Sequence, residues 1–145
     1  MSTTVLIILV AILNGMFSIF VSRASGKIDA NLSPSIFNSL GAIVPLSVYL
    51  FLRITKPLEI AATKTSGIMF SVLAGISIAL FSILLLKTFS RGINLSYAFP
   101  IIYGGTVVVS TLGGLILFKE HVSLLQGAGI ISIVFGLVLV AVSKF

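Results

Sequence analysis

Five stretches of roughly 20 residues, nearly free of charged side chains, limit what this chain can fold into. A backbone in lipid must satisfy its own amides, so it forms helices or a closed barrel. Barrel strands alternate apolar and polar residues, and these runs do not, so helices are expected. Composition agrees. Charged residues make up 8% of the 145, against roughly 25% in soluble domains, and mean hydropathy is +1.28. The expected fold is an all-α integral membrane protein with five transmembrane helices, multi-pass in the cell membrane, and one domain spanning residues 1–145. The helices are expected at about residues 3–22, 34–54, 65–90, 95–118 and 123–143.

The net charge of +6 does not point to nucleic acid, because the nine Lys and Arg sit at segment ends and form no patch. They read as topology determinants and as contacts to anionic membrane lipids. With no cysteine, one His and three acids, no disulfide or metal-ligand spacing arises, and no cofactor is expected. His121 beside Glu120 has no nucleophile in a set context, and the glycine pairs of segment four lie inside a helix rather than after a strand. The chain does not read as an enzyme.

Segment one has no Lys or Arg before it and no A-x-A site after it, so it reads as an uncleaved helix. Asn14, Ser18 and Ser22 recur four apart as one polar stripe. Ser33-Pro34 predicts the start of segment two, with Ser as N-cap and Pro at the first helical position. Pro45 predicts a kink, and Asn38 and Ala42 share a face. In segment three, Gly67, Ser71, Gly75 and Ala79 form a small-residue ridge for a closely approaching helix. Arg91-Gly92 ends it. Asn94 is the expected N-cap of segment four, where Pro100 frees the carbonyl of Ser96. Tyr103, Thr106, Ser110 and Gly113 share one face. Lys119-Glu120-His121 makes a short turn, and Ser123 with Gln126 matches a capping box. Ala128, Ser132 and Gly136 form a second ridge.

Five crossings put the two ends of the chain on opposite sides. Arg53, Lys56, Lys64 and Lys119 then face Arg23, Lys27, Lys87, Arg91 and Lys144, four against five. Orientation needs an excess on one side. Such a balance allows insertion both ways and an antiparallel homodimer, the unfused form of an inverted repeat. Alternatively, one lysine or the terminal amine sets the orientation.

The run FSRGINLSYAFPIIYGG followed by LILFKEHVSLLQGAGIISIVFGLVLV resembles the EamA-type domain of the drug/metabolite transporter superfamily. The matching positions are Pro100 after small residues, Glu120 just past the helix end, and Gly127, Gly129 and Gly136 in the last helix. Five segments match one EamA repeat. Most members carry two inverted repeats, so the resemblance implies a dimer here. The related small multidrug resistance proteins are antiparallel dimers with an essential Glu in their first helix. The corresponding polar residue here is Asn14, so proton-coupled export of cations is not implied.

The candidate substrate-binding residues are Asn14, Ser18, Asn38, Lys87, Tyr103, Thr106 and Ser110, with Pro100, Gly104 and Gly105 as a hinge. Each has a plainer reading. Lys87 at the bilayer centre costs about 2.5–3.5 kcal/mol, but it can snorkel to the headgroups from the segment end. Asn14 and Asn38 can line a cavity, or bond across helices for about 0.6–2 kcal/mol each. Tyr97 reads as an interfacial anchor, and the proline as a static kink. The expected function is a small transporter moving a neutral or anionic metabolite by alternating access as a homodimer. The alternatives are a lipid-linked sugar flippase subunit and a non-transporting scaffold.

Overall fold

The computed structural model describes residues 2–55 and 64–143; Lys56, Thr63 and Lys144 lie outside them. Among the described residues there are five helices and no strand. They are α1 (Thr3–Ala24), α2 (Leu32–Thr55), α3 (Thr65–Ser90), α4 (Leu95–Leu117) and α5 (Leu124–Val142). Each is long and apolar enough to cross a membrane. Even the 19 residues of α5 reach about 28 Å at 1.5 Å per residue, close to the hydrocarbon thickness.

Local chemistry sets the helix ends. The Ser2 hydroxyl accepts from Val5 N at 3.4 Å and starts α1. Gly26, at φ 74°, turns the chain out of it. The start of α2 differs from the sequence expectation. Leu32, not Pro34, opens the helix, because Asp29 does the capping. Its Oδ1 accepts from Asn31 N at 2.8 Å and Leu32 N at 3.1 Å, and its carbonyl accepts from Ser33 N at 3.1 Å. Pro34 still falls in the first turn, where a missing N–H costs nothing. The bonds from Asn31 and Leu32 hold the Asp29 carboxyl below its ordinary value. Gly92, at φ 78°, ends α3 by donating to Phe89 O at 2.9 Å. Asn94 is the N-cap of α4, but its side chain makes no capping bond. Its carbonyl accepts from Ala98 N at 3.0 Å. Helices α2 and α4 run through Pro45 and Pro100. The capping box at α5 is present as expected: Gln126 N to Ser123 Oγ at 3.2 Å, and Ser123 N to Gln126 Oε1 at 2.8 Å.

The chain divides into two units, Met1–Gly92 and Ile93–Phe145. In the first, α3 packs on α2 and on α1. Its buried residues are Ser18, Val21, Ser33, Pro34, Ser82, Leu85, Leu86 and Phe89. All lie where α1 ends, α2 begins and α3 ends. Phe17 meets Phe37 edge to face there, with ring centroids 5.3 Å apart. Residues 3–16, 39–55 and 65–80, the opposite halves of the same helices, are exposed throughout.

The second unit is a helical hairpin, α4 on α5. Gly127, Ile130, Val134, Leu137 and Val140 form the half-buried stripe of α5. Their spacing of three and four is that of a helix-pair seam. Gly104, Val107, Thr111 and Gly114 form the matching line on α4. Leu137 fills the space over Gly104 that a Cβ would need. The expected ridge of Ala128, Ser132 and Gly136 is not this seam, because at Gly104 the small residue is on α4 and receives Leu137 from α5. Likewise, among the described residues nothing lies within 4 Å of a Cβ at Gly67 or Gly75.

Candidate functional site

In the first unit, the polar residues of α2 come together with Ser82 of α3. Ser35, Asn38 and Ser39 follow Asn31, in the turn before α2, at three- and four-residue steps, so these three share one side of the helix. Asn38 Nδ2 donates to Ser82 Oγ at 3.0 Å, the bond that joins the two helices here. Ser82 is 1% exposed and donates in turn to Ala79 O at 2.9 Å. A groove of about 460 Å³ runs beside this pair, lined by Asn31, Ser35, Asn38, Ser39, Ala79 and Ile83 among others. Asn31, Ser35 and Ser39 are exposed and Asn38 is half-buried; polar groups on a membrane-length helix are costly unless bonded or solvated. The α1–α2 side differs: a groove of about 370 Å³ there is lined by Phe17, Phe20, Val21, Ile36 and Phe37, with little polar surface.

The candidate residues divide between the two units. Asn14, Ser18, Asn38 and Lys87 belong to the first, and Pro100, Tyr103, Gly104, Gly105, Thr106 and Ser110 to the second. Ser18 is 4% exposed and donates to Asn14 O at 2.7 Å, and the residue Asn14 is itself exposed. Lys87 is exposed in the last turn of α3. Tyr103 stacks on Phe99 at 5.1 Å and borders an apolar α4–α5 groove of about 460 Å³ with Pro100, Gly104 and Leu137. Thr106 and Ser110 are exposed and donate to Ile102 O at 2.9 Å and Val107 O at 3.1 Å. Gly105 has open space beside it, whereas Gly104 is covered by Leu137.

Hydroxyls throughout behave in this way. Ser35, Ser39, Ser47, Ser71, Ser77, Thr88 and Ser132 each donate to the carbonyl four residues earlier, at 2.7–2.9 Å. Sequence reasoning missed Ser82. Its signal was present: Ala79, Ser82 and Leu86 follow one another at steps of three and four, so Ser82 continues the small-residue ridge toward the end of α3. It also missed Gly114, which is buried under the Glu120 side chain. Comparison with family models, curated proteins and solved structures finds no match to this chain.

Proposed function

We propose that this chain is a small membrane transporter that moves a neutral or anionic metabolite by alternating access, working as an antiparallel homodimer. The observation that carries this reading is the groove beside the start of α2 and the end of α3, where Asn38, bonded to Ser82, stands with Asn31, Ser35 and Ser39. Polar side chains kept at that position serve either a solute or helix association, and the groove gives the solute room. The near balance of flanking charge supports the antiparallel pair. The resemblance to one EamA repeat supports the transport class. A hinge at Pro100, Gly104 and Gly105 requires Leu137 to lift off Gly104.

Uptake of a labelled solute panel into proteoliposomes tests the proposal. The expected result is uptake above protein-free vesicles that falls about tenfold in Asn38→Leu, about the loss from removing one half-buried polar contact. If no solute moves while a ten-helix carrier works in the same assay, transport is rejected. Orientation is tested with Ser143→Cys and, separately, Thr63→Cys, labelled in intact cells by an impermeant thiol reagent. About half labelling at each site is expected for a chain that inserts both ways. Full labelling at one and none at the other rejects the antiparallel homodimer.

A second reading has an observation of its own. The groove of Phe17, Phe20, Val21, Ile36 and Phe37 is apolar and open along its side, as a lipid tail requires. It supports a subunit of a lipid-linked sugar flippase. Purification with bound polyprenyl lipid and an unrelated small membrane chain would favour that reading over the first.

A further inference from the structure

The α4–α5 turn holds a carboxylate in an unusual place. Past the end of α4, Lys119 takes φ 53° and Glu120 N donates back to Gly114 O at 3.0 Å. The Glu120 side chain then lies over Gly114, with Oε2 2.6 Å from where a Cβ would stand. Only glycine leaves that space. The carboxylate thus sits three residues inside the last residue of α4, about 4.5 Å along the axis. It borders a groove of about 360 Å³ with Thr111 and Gln126 as polar neighbours and Val122, Ile130 and Ile133 as apolar walls.

The end of α4 adds a negative potential beside this exposed carboxylate. The last carbonyls of a helix lack intrahelical partners and carry the negative end of its dipole. No basic residue lies in the last turn of α4. Among the described residues no ion pair joins Glu120 to Lys119 or His121, its neighbours in the chain. The positive end of α5 lies nearby, but the capping box already occupies the amides of Ser123 and Gln126.

We propose that this groove binds the ammonium head of an aminophospholipid, with Glu120 as its counter-ion and Val122, Ile130 and Ile133 against the lipid's apolar part. Charge complementarity selects the ammonium, and the open apolar side of a groove between two membrane-length helices selects a lipid as its bearer. Lys119 and His121 flank Glu120 in the sequence, and on this proposal they are the donors available to the adjoining phosphate. The inference rests on the chain spanning a membrane and not on its transporting anything.

The test uses the full chain in nanodiscs of phosphatidylethanolamine and phosphatidylglycerol, and in matched discs with phosphatidylcholine, with retained lipids counted by native mass spectrometry. Wild type is expected to retain the ethanolamine lipid about tenfold better, as a charge-assisted hydrogen bond gives. Glu120→Gln keeps the shape and removes the charge, and the preference should vanish. Gly114→Ala keeps the charge but fills its seat, and the preference should fall too. Helicity of both variants is checked by circular dichroism, and Glu120→Gln alone decides if Gly114→Ala does not fold. Equal retention of both lipids by wild type, or a preference that survives Glu120→Gln, overturns the proposal. So does Glu120-dependent binding of octylammonium without any lipid preference, which would assign the groove to a free cation. No solute gradient is involved, so failure of the transport reading leaves this result standing.

Discussion

The two units pack by different means. The α4–α5 hairpin is in contact along much of its length, and Leu137 of α5 fills the space over Gly104 of α4. The α1–α3 unit is joined at one end only, around Phe17–Phe37 and Asn38–Ser82, and its other end is exposed on every face. In water the second arrangement would expose a large apolar surface. Lipid tails are as apolar as leucine, so helices in lipid gain little from apolar contact as such. Contact forms where a polar group needs a partner or where a missing side chain lets another fit.

The sharpest way to break this comparison is one substitution made in both units. Gly104→Ile must displace Leu137 and should cost about 1–3 kcal/mol. Gly75→Ile meets open space and should change stability by about 0.5 kcal/mol or less. Unfolding of the purified chain in mild detergent measures both. If Gly75→Ile costs as much as Gly104→Ile, the open half of α3 has a helix against it in the assembled protein, and the contrast belongs to the single chain alone. A smaller effect is expected at the tip of the hairpin. Lys119→Gly relieves a positive φ and should stabilise by about 1 kcal/mol in the same measurement; a loss would mean the lysine side chain matters more than its backbone. In the first unit, a double-mutant cycle of Asn38→Leu and Ser82→Ala should give a coupling of about 0.6 kcal/mol, and zero coupling would remove this bond as the tie between α2 and α3.

The least effect is expected from acid. Asp29 has its pKa lowered on folding, so its contribution is present above the unfolded value of 3.8 and disappears as pH falls through the lower folded value. Amide exchange at Asn31 and Leu32 should speed up over that range while the hairpin amides do not follow. Asp29→Ala should show the fast exchange at every pH, with about one helical turn affected.

Much of this was legible in the sequence. The five helices, the Gly92 stop and the Ser123–Gln126 capping box are local, and apolar length or turn chemistry specifies them. The start of α2 was less so, because Asp29 and Ser33 are both good caps and only the fold shows which one is used. The helix partners were not legible. Small-residue ridges on α3 and α5 mark surfaces able to pack closely, but α5 turns Leu137 rather than Gly136 toward Gly104. In the candidate site, Asn38 could be picked out by its cost in lipid, while its bond to Ser82 depends on which faces of α2 and α3 meet. The inward fold of Glu120 was equally hidden, since it follows from the unusual backbone at Lys119.

The hydroxyls that bond back to their own helices also set what these helices can offer a solute. Ser35, Ser39, Thr106 and Ser132 have each committed a proton to a carbonyl, leaving lone pairs to face outward. Ser82 shows the result directly, donating to Ala79 and accepting from Asn38. In the α2–α3 groove, Ser35 and Ser39 therefore offer acceptors rather than donors. Beside them the side-chain amides of Asn31 and Asn38 bring donors, so for the solute proposed above the groove pairs hydroxyl acceptors with amide hydrogens.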